Sequence, residues 1–275
     1  MYSSGEAKPP PPISFPSFPR SSCDAGDLLR CMQNSSVTDG YLCLVPEENR
    51  RVLYNRPAIM WPSNYDTNFT VLIRKRPNAT YFGDGMAFVM TTDMRQSPRK
   101  HRRFFGLFDQ STNAWNTTGQ LAVEIDTVPN EYEIQEYHVG VDIASIVSNI
   151  TAPPSKANVD LNREIPVTYR VNYDGWTKKL EVSAGYAGQE PLKSVLNFSI
   201  VIAKIDPIYV GFTAASGPSL DASESIRVLS WNFSSTPLPD SKHRVGTILA
   251  IILSIPFGVI LLGLLILLGV RKWRR

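Results

Sequence analysis

Short apolar runs separated by turn-forming residues occupy the chain from about residue 27 to residue 233. Within the runs, β-branched and aromatic residues alternate with polar ones or follow each other directly, and Gly, Pro, Asn and Asp stand between them. This pattern predicts β-strands, and no segment before residue 245 has the period of a helix. The expected strands are FTVLIRK (69–75), GMAFVM (85–90), QLAVEID (120–126), YHVGVDI (137–143), VTYRVNYD (167–174), KLEVSAGY (179–186), FSIVIAKI (198–205), YVGFTAA (209–215) and IRVLSWNF (226–233).

So many short strands with turn signals between them favour an all-β sandwich. The Pro/Ser-rich residues 1–22 read as a flexible N-terminal arm, which places the sandwich at 23–234. A short Pro-containing stalk, 235–246, is expected to follow it.

The strongest apolar signal comes after the stalk. Residues 247–270, TILAIILSIPFGVILLGLLILLGV, contain no charge and are long enough to span a bilayer as one transmembrane α-helix. The tail RKWRR (271–275) carries four cations of a net charge of +3, so the basic balance is a property of the tail and gives no reason to expect nucleic-acid binding. The positive-inside rule places this tail in the cytosol, as in a single-pass type I protein.

Seven N-x-S/T sequons precede the apolar run, and such sites mark surface positions of secreted chains. They predict a lumenal or extracellular domain at the plasma membrane, although the first residues show no signal peptide. The rival is a tail-anchored cytosolic protein with unused sequons. Cys23, Cys31 and Cys43 allow one disulfide, and the sequence does not choose the pair. The sequon residues are Asn34, Asn68, Asn78, Asn116, Asn149, Asn197 and Asn232.

The stretch VEIDTVPNEYEIQEYHVGVDI (123–143) concentrates polar chemistry. On a strand, Glu124 and Asp126 lie side by side on one face, where they repel each other unless a cation is present or one is protonated. Carboxylates, the Asn130 amide and the His138 imidazole suit Ca²⁺ and a Mn²⁺-like ion. A polar, solvated strand face is the alternative.

The chain resembles the legume-type (L-type) lectins, most closely the ectodomains of plant lectin receptor kinases. The similar phrases occur in the family's order and extend along most of residues 42–234. They are GDGMAFVM (83–90), FFGLFDQSTN (104–113), VEIDTVPN (123–130), HVGVDIASI (138–146), YRVNYDGWTKKLEV (169–182), YVGFTAASG (209–217) and VLSWNF (228–233).

The resemblance implies a concanavalin-like jelly-roll sandwich with a Mn²⁺/Ca²⁺ pair beside a sugar site. Glu124 and His138 would ligate the transition metal, and Asp126 would bridge both ions. The Val128 carbonyl and the Asn130 side chain would ligate calcium. The family's second bridging acid is an Asp; here Glu133, on a shorter loop, is the candidate.

For the sugar, the resemblance implies contacts from Asp84, preceded by a cis peptide, and from Asn130. The third contact is a backbone N–H of a Gly, and Arg103 stands at that position here. Val128 replaces a frequent aromatic, which leaves a smaller surface for the sugar. The basic run SPRKHRR (97–103) leads into this loop. It is either a solvated segment without a role in binding or a segment that favours an anionic glycan or an acidic protein partner.

These observations predict a membrane-anchored, non-catalytic carbohydrate-binding protein that recognises a glycan or glycoprotein. Glycosidases on related sandwiches need a third carboxylate after E-x-D, but Val128 and Pro129 occupy its place. Kinase motifs are missing from this sequence, so signalling as a co-receptor would require a partner receptor kinase. The alternative is a degenerate lectin domain that binds a protein and has lost the sugar.

Overall fold

The computed structural model describes residues 11–44, 50–58, 62–95, 104–108, 119–128, 137–202, 207–215 and 222–239. Residues up to Pro237 form one compact unit. Residues from Leu238 onward form a second, of which only 238 and 239 are described. No helix in the described ranges is long and apolar enough to cross a membrane; the predicted span 247–270 lies outside them.

The described part is an all-β sandwich of two antiparallel sheets, with short 3₁₀ turns and no α-helix. The fifteen strands are β1 (Ile13–Phe15), β2 (Leu29–Met32), β3 (Ser36–Thr38), β4 (Tyr41–Leu44), β5 (Arg50–Tyr54), β6 (Ser63–Lys75), β7 (Gly85–Thr91), β8 (Gln120–Asp126), β9 (His138–Ile143), β10 (Ile150–Ala152), β11 (Val167–Asp174), β12 (Lys179–Tyr186), β13 (Lys193–Ser199), β14 (Tyr209–Ala215) and β15 (Glu224–Pro237).

One sheet has eight strands in the order β13-β12-β11-β6-β15-β4-β3, with β1 also paired to β15. The other has seven, in the order β10-β9-β8-β7-β14-β5-β2. Strands that are neighbours in a sheet are often far apart in sequence, such as β7 and β14, so the pairing depends on long-range contacts.

The main core fills the space between the sheets and is rich in aromatic rings. Phe69 of the eight-stranded sheet meets Phe212 of the seven-stranded sheet edge to face, with ring centroids 5.2 Å apart. Trp231 is fully buried, packs against Phe212 at 5.0 Å and donates its indole N–H to Thr67 Oγ1 at 3.0 Å. Such ring pairs add to the stabilisation from apolar burial.

A second apolar cluster lies on the opposite side of the seven-stranded sheet. Its sheet residues point away from the main core, and residues 104–108 contribute rings and an isobutyl group that cover them. The members are Met32, Leu53, Ala87, Val89, Phe105, Leu107, Phe108, Ala122 and Ile146. Both faces of this sheet are therefore buried.

Several boundaries differ from the sequence analysis. The flexible arm predicted for 1–22 does not extend over residues 13–22, because β1 pairs with β15 and Phe15 and Phe18 are buried in the core. The stalk predicted from 235 starts later, since β15 continues to Pro237. The strand predicted at 198–205 is Lys193–Ser199 instead, because its register against β12 fixes the hairpin. Cys23 and Cys31 form the disulfide, and Cys43 is free.

Candidate functional site

Two neighbouring strands of the seven-stranded sheet carry the acidic cluster. Glu124 and Asp126 lie on β8, and His138 begins β9 directly opposite Asp126. All three side chains are fully buried. They lie on the face of the sheet that the second apolar cluster covers. Ala122 of that cluster is two residues before Glu124 on β8, and side chains two residues apart on a strand point to the same face.

The imidazole lies between the two carboxylates. His138 Nε2 is 3.2 Å from Glu124 Oε1 and 3.9 Å from Asp126 Oδ2. Asp126 Oδ1 accepts the Val128 backbone N–H at 2.7 Å. Glu124 Oε2 is buried and has no hydrogen-bond partner among the described residues. Two carboxylates in a dry site are costly unless positive charge accompanies them.

A serine hydroxyl supports this cluster from the turn after β9. Ser148 Oγ contacts Glu124 Oε1 and lies 2.8 Å from Asp142 Oδ1. Gly140 pairs with Glu124 across the sheet, and a Cβ there would collide with both Ser148 Oγ and the Glu124 carboxylate. Only glycine at 140 leaves room for this approach.

Asp84 lies next to the cluster, immediately before β7. Its neighbour Gly85 pairs with Asp126, and Thr127 Oγ1 donates to the Gly83 carbonyl at 2.7 Å. Gly85 has φ +105°, and a Cβ on it would overlap the Ile125 carbonyl, so this position requires glycine. The cis peptide implied before Asp84 is not found; the cis bond among the described residues is Glu190–Pro191.

A fully buried carboxyl, Glu224, is close enough to Asp84 to be affected by its charge. The pKa of Glu224 is raised to about 8: burial is the main cause and the charge of Asp84 adds to it, while hydrogen bonds with Thr127 and with the Gly83 and Gly85 backbone oppose the rise. Glu224 Oε2 lies 2.9 Å from Thr127 Oγ1, within hydrogen-bond distance. The carboxyl is thus neutral at pH 7 and joins the first residue of β15 to the segment that carries Asp84.

The other predicted site residues divide into two groups. Val128 is half-buried and lies two residues after the end of β8. Asn130, Glu133, Arg103 and the basic run 97–103 lie outside the described residues. In the part of the chain that is described, no group of three or more His, Cys, Asp or Glu side chains is placed so that it could hold a metal ion. The described ligands alone do not complete a metal site.

Sequence reasoning missed several residues that the fold brings to this site. Ser148 and Asp142 follow His138 in HVGVDIASIVS, where a polar residue on alternate positions of a buried strand was the available signal. Glu224 was detectable only as an acid directly before an apolar run. Tyr81, three residues before Asp84, leaves 67% of its surface exposed and offers an aromatic face near the site.

The sequon residues are at the surface where they are described. Asn34, Asn78, Asn149, Asn197 and Asn232 are exposed, and Asn68 is half-buried. Asn68 and Asn232 are cross-strand partners on β6 and β15, and Asn232 Nδ2 donates to Asn68 Oδ1 at 3.0 Å. Asn116 lies outside the described residues.

Comparison with known proteins assigns this arrangement to a family. Residues 13–247 match the legume lectin domain. Bark agglutinin I polypeptide B of Robinia pseudoacacia is 33% identical over 241 residues, which cover 81% of this chain and 80% of the agglutinin. The putative L-type lectin-domain containing receptor kinase I.10 of Arabidopsis thaliana is 32% identical over 189 residues, 64% of this chain but 30% of the kinase.

Solved structures agree on the fold. The metal-free form of lectin I-B4 from Griffonia simplicifolia superposes with a TM-score of 0.70 at 24% identity, covering 82% of this chain and 100% of the lectin. With the sandwich, the acidic strand pair and the matched residues 13–247 in agreement, the chain belongs to the legume lectin domain family.

Proposed function

We propose that this protein is a non-catalytic, membrane-anchored lectin that binds a glycan at Asp84, Asn130 and residue 103, beside a Ca²⁺/Mn²⁺ pair. The observation that carries the proposal is the buried cluster of Glu124, Asp126 and His138 immediately next to Asp84. A solvated polar face, the alternative left open by the sequence, is incompatible with the complete burial of these three side chains.

The chemistry of the donor set fits a divalent cation. Two carboxylates and an imidazole on adjacent strands are the ligands that a Mn²⁺-like ion accepts. Glu124 Oε2, buried without a described partner, has an open lone pair for such an ion. In our proposal Glu124, Asp126 and His138 hold the transition metal, while Asp126, the Val128 carbonyl, Asn130 and Glu133 hold calcium. The ions would supply the positive charge that stabilises the buried carboxylates and would fix the loop that carries Asn130.

Asp84 is the sugar ligand in this proposal. A buried carboxylate with a small exposed fraction, 7%, can accept hydrogen bonds from sugar hydroxyls while its surroundings hold it rigid. Asn130 would add a second contact and residue 103 a third. Tyr81 supplies the exposed ring that Val128 does not, so we expect apolar contact with the sugar from Tyr81.

We further propose that the protein is a type I plasma-membrane protein with its lectin domain outside the cell. Residues 247–270 have the length and composition of a span. The exposed sequons and the Cys23–Cys31 disulfide support passage through an oxidising compartment. Its similarity to receptor-kinase ectodomains supports a co-receptor role with a partner kinase.

A protein-interaction module without sugar binding is the second candidate. The observation in its favour is Arg103 at the position where the family has a glycine, since a large side chain there can fill the space of the sugar. The two candidates agree on the fold and on the cations, and they differ only in whether a glycan binds.

The test combines metal analysis of the purified, glycosylated protein with glycan-array binding before and after EDTA. The lectin proposal expects bound Ca²⁺ and Mn²⁺, glycan retention lost in EDTA, and loss of binding in Asp84→Asn and Asn130→Ala. The matched control is Asp24→Asn, which removes an exposed carboxylate distant in sequence from the site; this variant should bind the glycan normally. Metal content and cation-dependent stability with no retained glycan would favour the interaction module. A protein that contains no metal and retains no glycan would contradict both candidate functions.

A further inference from the structure

A buried arginine in the seven-stranded sheet has no part in the site described above. Arg51 lies on β5, opposite Thr213 of β14, and leaves 2% of its surface exposed. Burial lowers the pKa of Arg51 to about 10, so the guanidinium stays protonated at neutral pH. A cation this deep requires acceptors for its N–H groups.

Those acceptors come from a single connection of the chain. Arg51 Nη2 donates to the Gly106 carbonyl at 2.8 Å, and Nη1 lies 3.3 Å from the carbonyls of both Asp93 and Arg95. All three carbonyls belong to the long connection between β7 and β8, residues 92–119. Arg51 therefore ties the start of this connection, 93–95, to its middle, 104–108.

The segment 104–108 is in turn fitted against the candidate sugar site. Phe105 is buried, and its Cε1 lies 3.2 Å from the position that a Cβ on Gly85 would occupy, directly after Asp84. Gln120 Nε2 also donates to the Leu107 carbonyl at 2.8 Å. Phe105 has a positive φ of 50°, a conformation that residues with a side chain rarely adopt and that needs support from its surroundings.

We propose that Arg51 is a positioning residue for glycan binding, because it fixes residues 104–108, and Phe105 of this segment packs against Gly85, directly after the proposed sugar ligand Asp84. This inference rests on the proposed lectin function. A guanidinium suits the task because its planar set of donors can reach three carbonyls from two separate segments, which a lysine ammonium cannot do with the same geometry.

A purely structural arginine would lower stability without selectively affecting this loop or the glycan. The experiment compares the full-length glycosylated protein with Arg51→Lys and Arg51→Met. Arg170→Met is the matched control, since Arg170 pairs with Asp66 on the half-exposed face of the other sheet. Three quantities are measured: hydrogen exchange of the amides at 104–108, thermal stability, and affinity for methyl glycosides of mannose, galactose, fucose and N-acetylgalactosamine.

The expected result is a graded one. Arg51→Lys should accelerate exchange at 104–108 and weaken the affinity about tenfold, and Arg51→Met should weaken it further, since hydrogen bonds to a charged donor are lost in turn. Hydrogen exchange in β6, β11 and β12 should stay unchanged in Arg51→Lys. Arg170→Met should leave hydrogen exchange at 104–108 and the glycan affinity unchanged.

Unchanged exchange at 104–108 in both Arg51 variants would overturn the proposal, as would equal glycan affinities of the native protein and Arg51→Met. If the native protein binds none of the four glycosides, the lectin function fails and the sugar part of this inference fails with it. The exchange data would still decide whether Arg51 holds the loop, so the two failures can be told apart.

Discussion

The two sheets of the sandwich bury their residues differently. Every residue of β7 and β8 in the seven-stranded sheet is buried, whereas β6 and β11 in the eight-stranded sheet alternate between buried and half-buried or exposed positions. The cause is the second apolar cluster, in which Phe105, Leu107 and Phe108 cover the outer face of the seven-stranded sheet. The outer face of the eight-stranded sheet meets solvent instead.

This difference explains where the chemistry is. Polar side chains on the solvated face, such as Arg170 with Asp66, are paired and hydrated, so each contributes little. Polar side chains on the covered face are dry: Glu124, Asp126 and His138 are fully buried, where an interaction between polar groups is stronger than in water. The covered face carries the buried acidic cluster, while the solvated face carries the paired sequons Asn68 and Asn232.

The largest expected difference in stability between the two sheets follows from placing a negative charge on the outer face of each. Val89→Asp puts a carboxylate in the second apolar cluster and should lower the free energy of unfolding by about 3 kcal/mol or more. Ser183→Asp, opposite Arg170 on the eight-stranded sheet, should change it by less than about 0.5 kcal/mol. Urea unfolding of the two variants measures both. Similar losses would mean that the two faces are equally solvated and would break the comparison.

A smaller effect is expected from one methyl group beside Glu124. Gly140→Ala forces Ser148 or Glu124 to move and should cost about 1–3 kcal/mol. It should also abolish the rise in melting temperature on adding Mn²⁺ and Ca²⁺, because the displaced carboxylate no longer ligates. Gly185→Ala in β12 is the control, since its one tight neighbour would be the movable end of Leu192 at 3.0 Å, and its other neighbours lie at 3.9 Å or more. A full cation response in Gly140→Ala would show that Glu124 is not a ligand.

The pH dependence of stability tests the dry environment of Glu224. Its pKa is raised from an ordinary 4.5 to about 8, so the folded state holds a proton that the unfolded chain releases between these values. Stability from this group is therefore complete at low pH and falls as pH rises through that window, by up to about 1.4 kcal/mol per pH unit.

Glu224→Gln should remove this fall and flatten the profile, most visibly between pH 5 and about 8, in urea unfolding at several pH values. Glu181→Gln, half-buried on β12, removes a carboxylate from the other sheet and serves as the control. A Glu224→Gln profile as steep as that of the native protein would contradict a neutral buried carboxyl.

The smallest effect is expected on the solvated face. Arg170→Met breaks the ion pair with Asp66 but should cost less than about 1 kcal/mol, and less still at high salt. Unfolding in low and high salt measures this. A loss comparable to that of Val89→Asp would show that this face is much drier than its exposure indicates.

The sequence predicted the bounds of some strands in both sheets, including β8 at 120–126. β11, β12 and β14 begin and end where their patterns predict, because they continue between clear turn residues. The strand predicted at 198–205 was placed too late in the chain. Apolar residues continue beyond Ser199, and only the pairing with β12 sets the end of the strand there. The strand Ile13–Phe15 was hidden in a Pro-rich segment that pairs with residues more than 200 positions away.

The site was predictable only in part. Glu124, Asp126, His138 and Asp84 were named as candidates because recognisable phrases of the family carry them, and the strands that carry them are neighbours in the fold. Arg51, Ser148 and Glu224 were not, because nothing local distinguishes a polar residue that a remote loop will bury from one that meets water. The choice of Cys23 with Cys31 likewise depended on which chain segments the fold brings together.

The amino-acid sequence by itself determined the strand periodicity, the family phrases, the candidate ligand residues and the 24-residue apolar run, since each is carried by short stretches of the chain. Only the tertiary structure decided which sheet face is covered and therefore which charges are dry. Covering depends on residues 104–108 closing over strands from four distant parts of the chain, and the energy of a charge depends on that closure rather than on its neighbours in sequence.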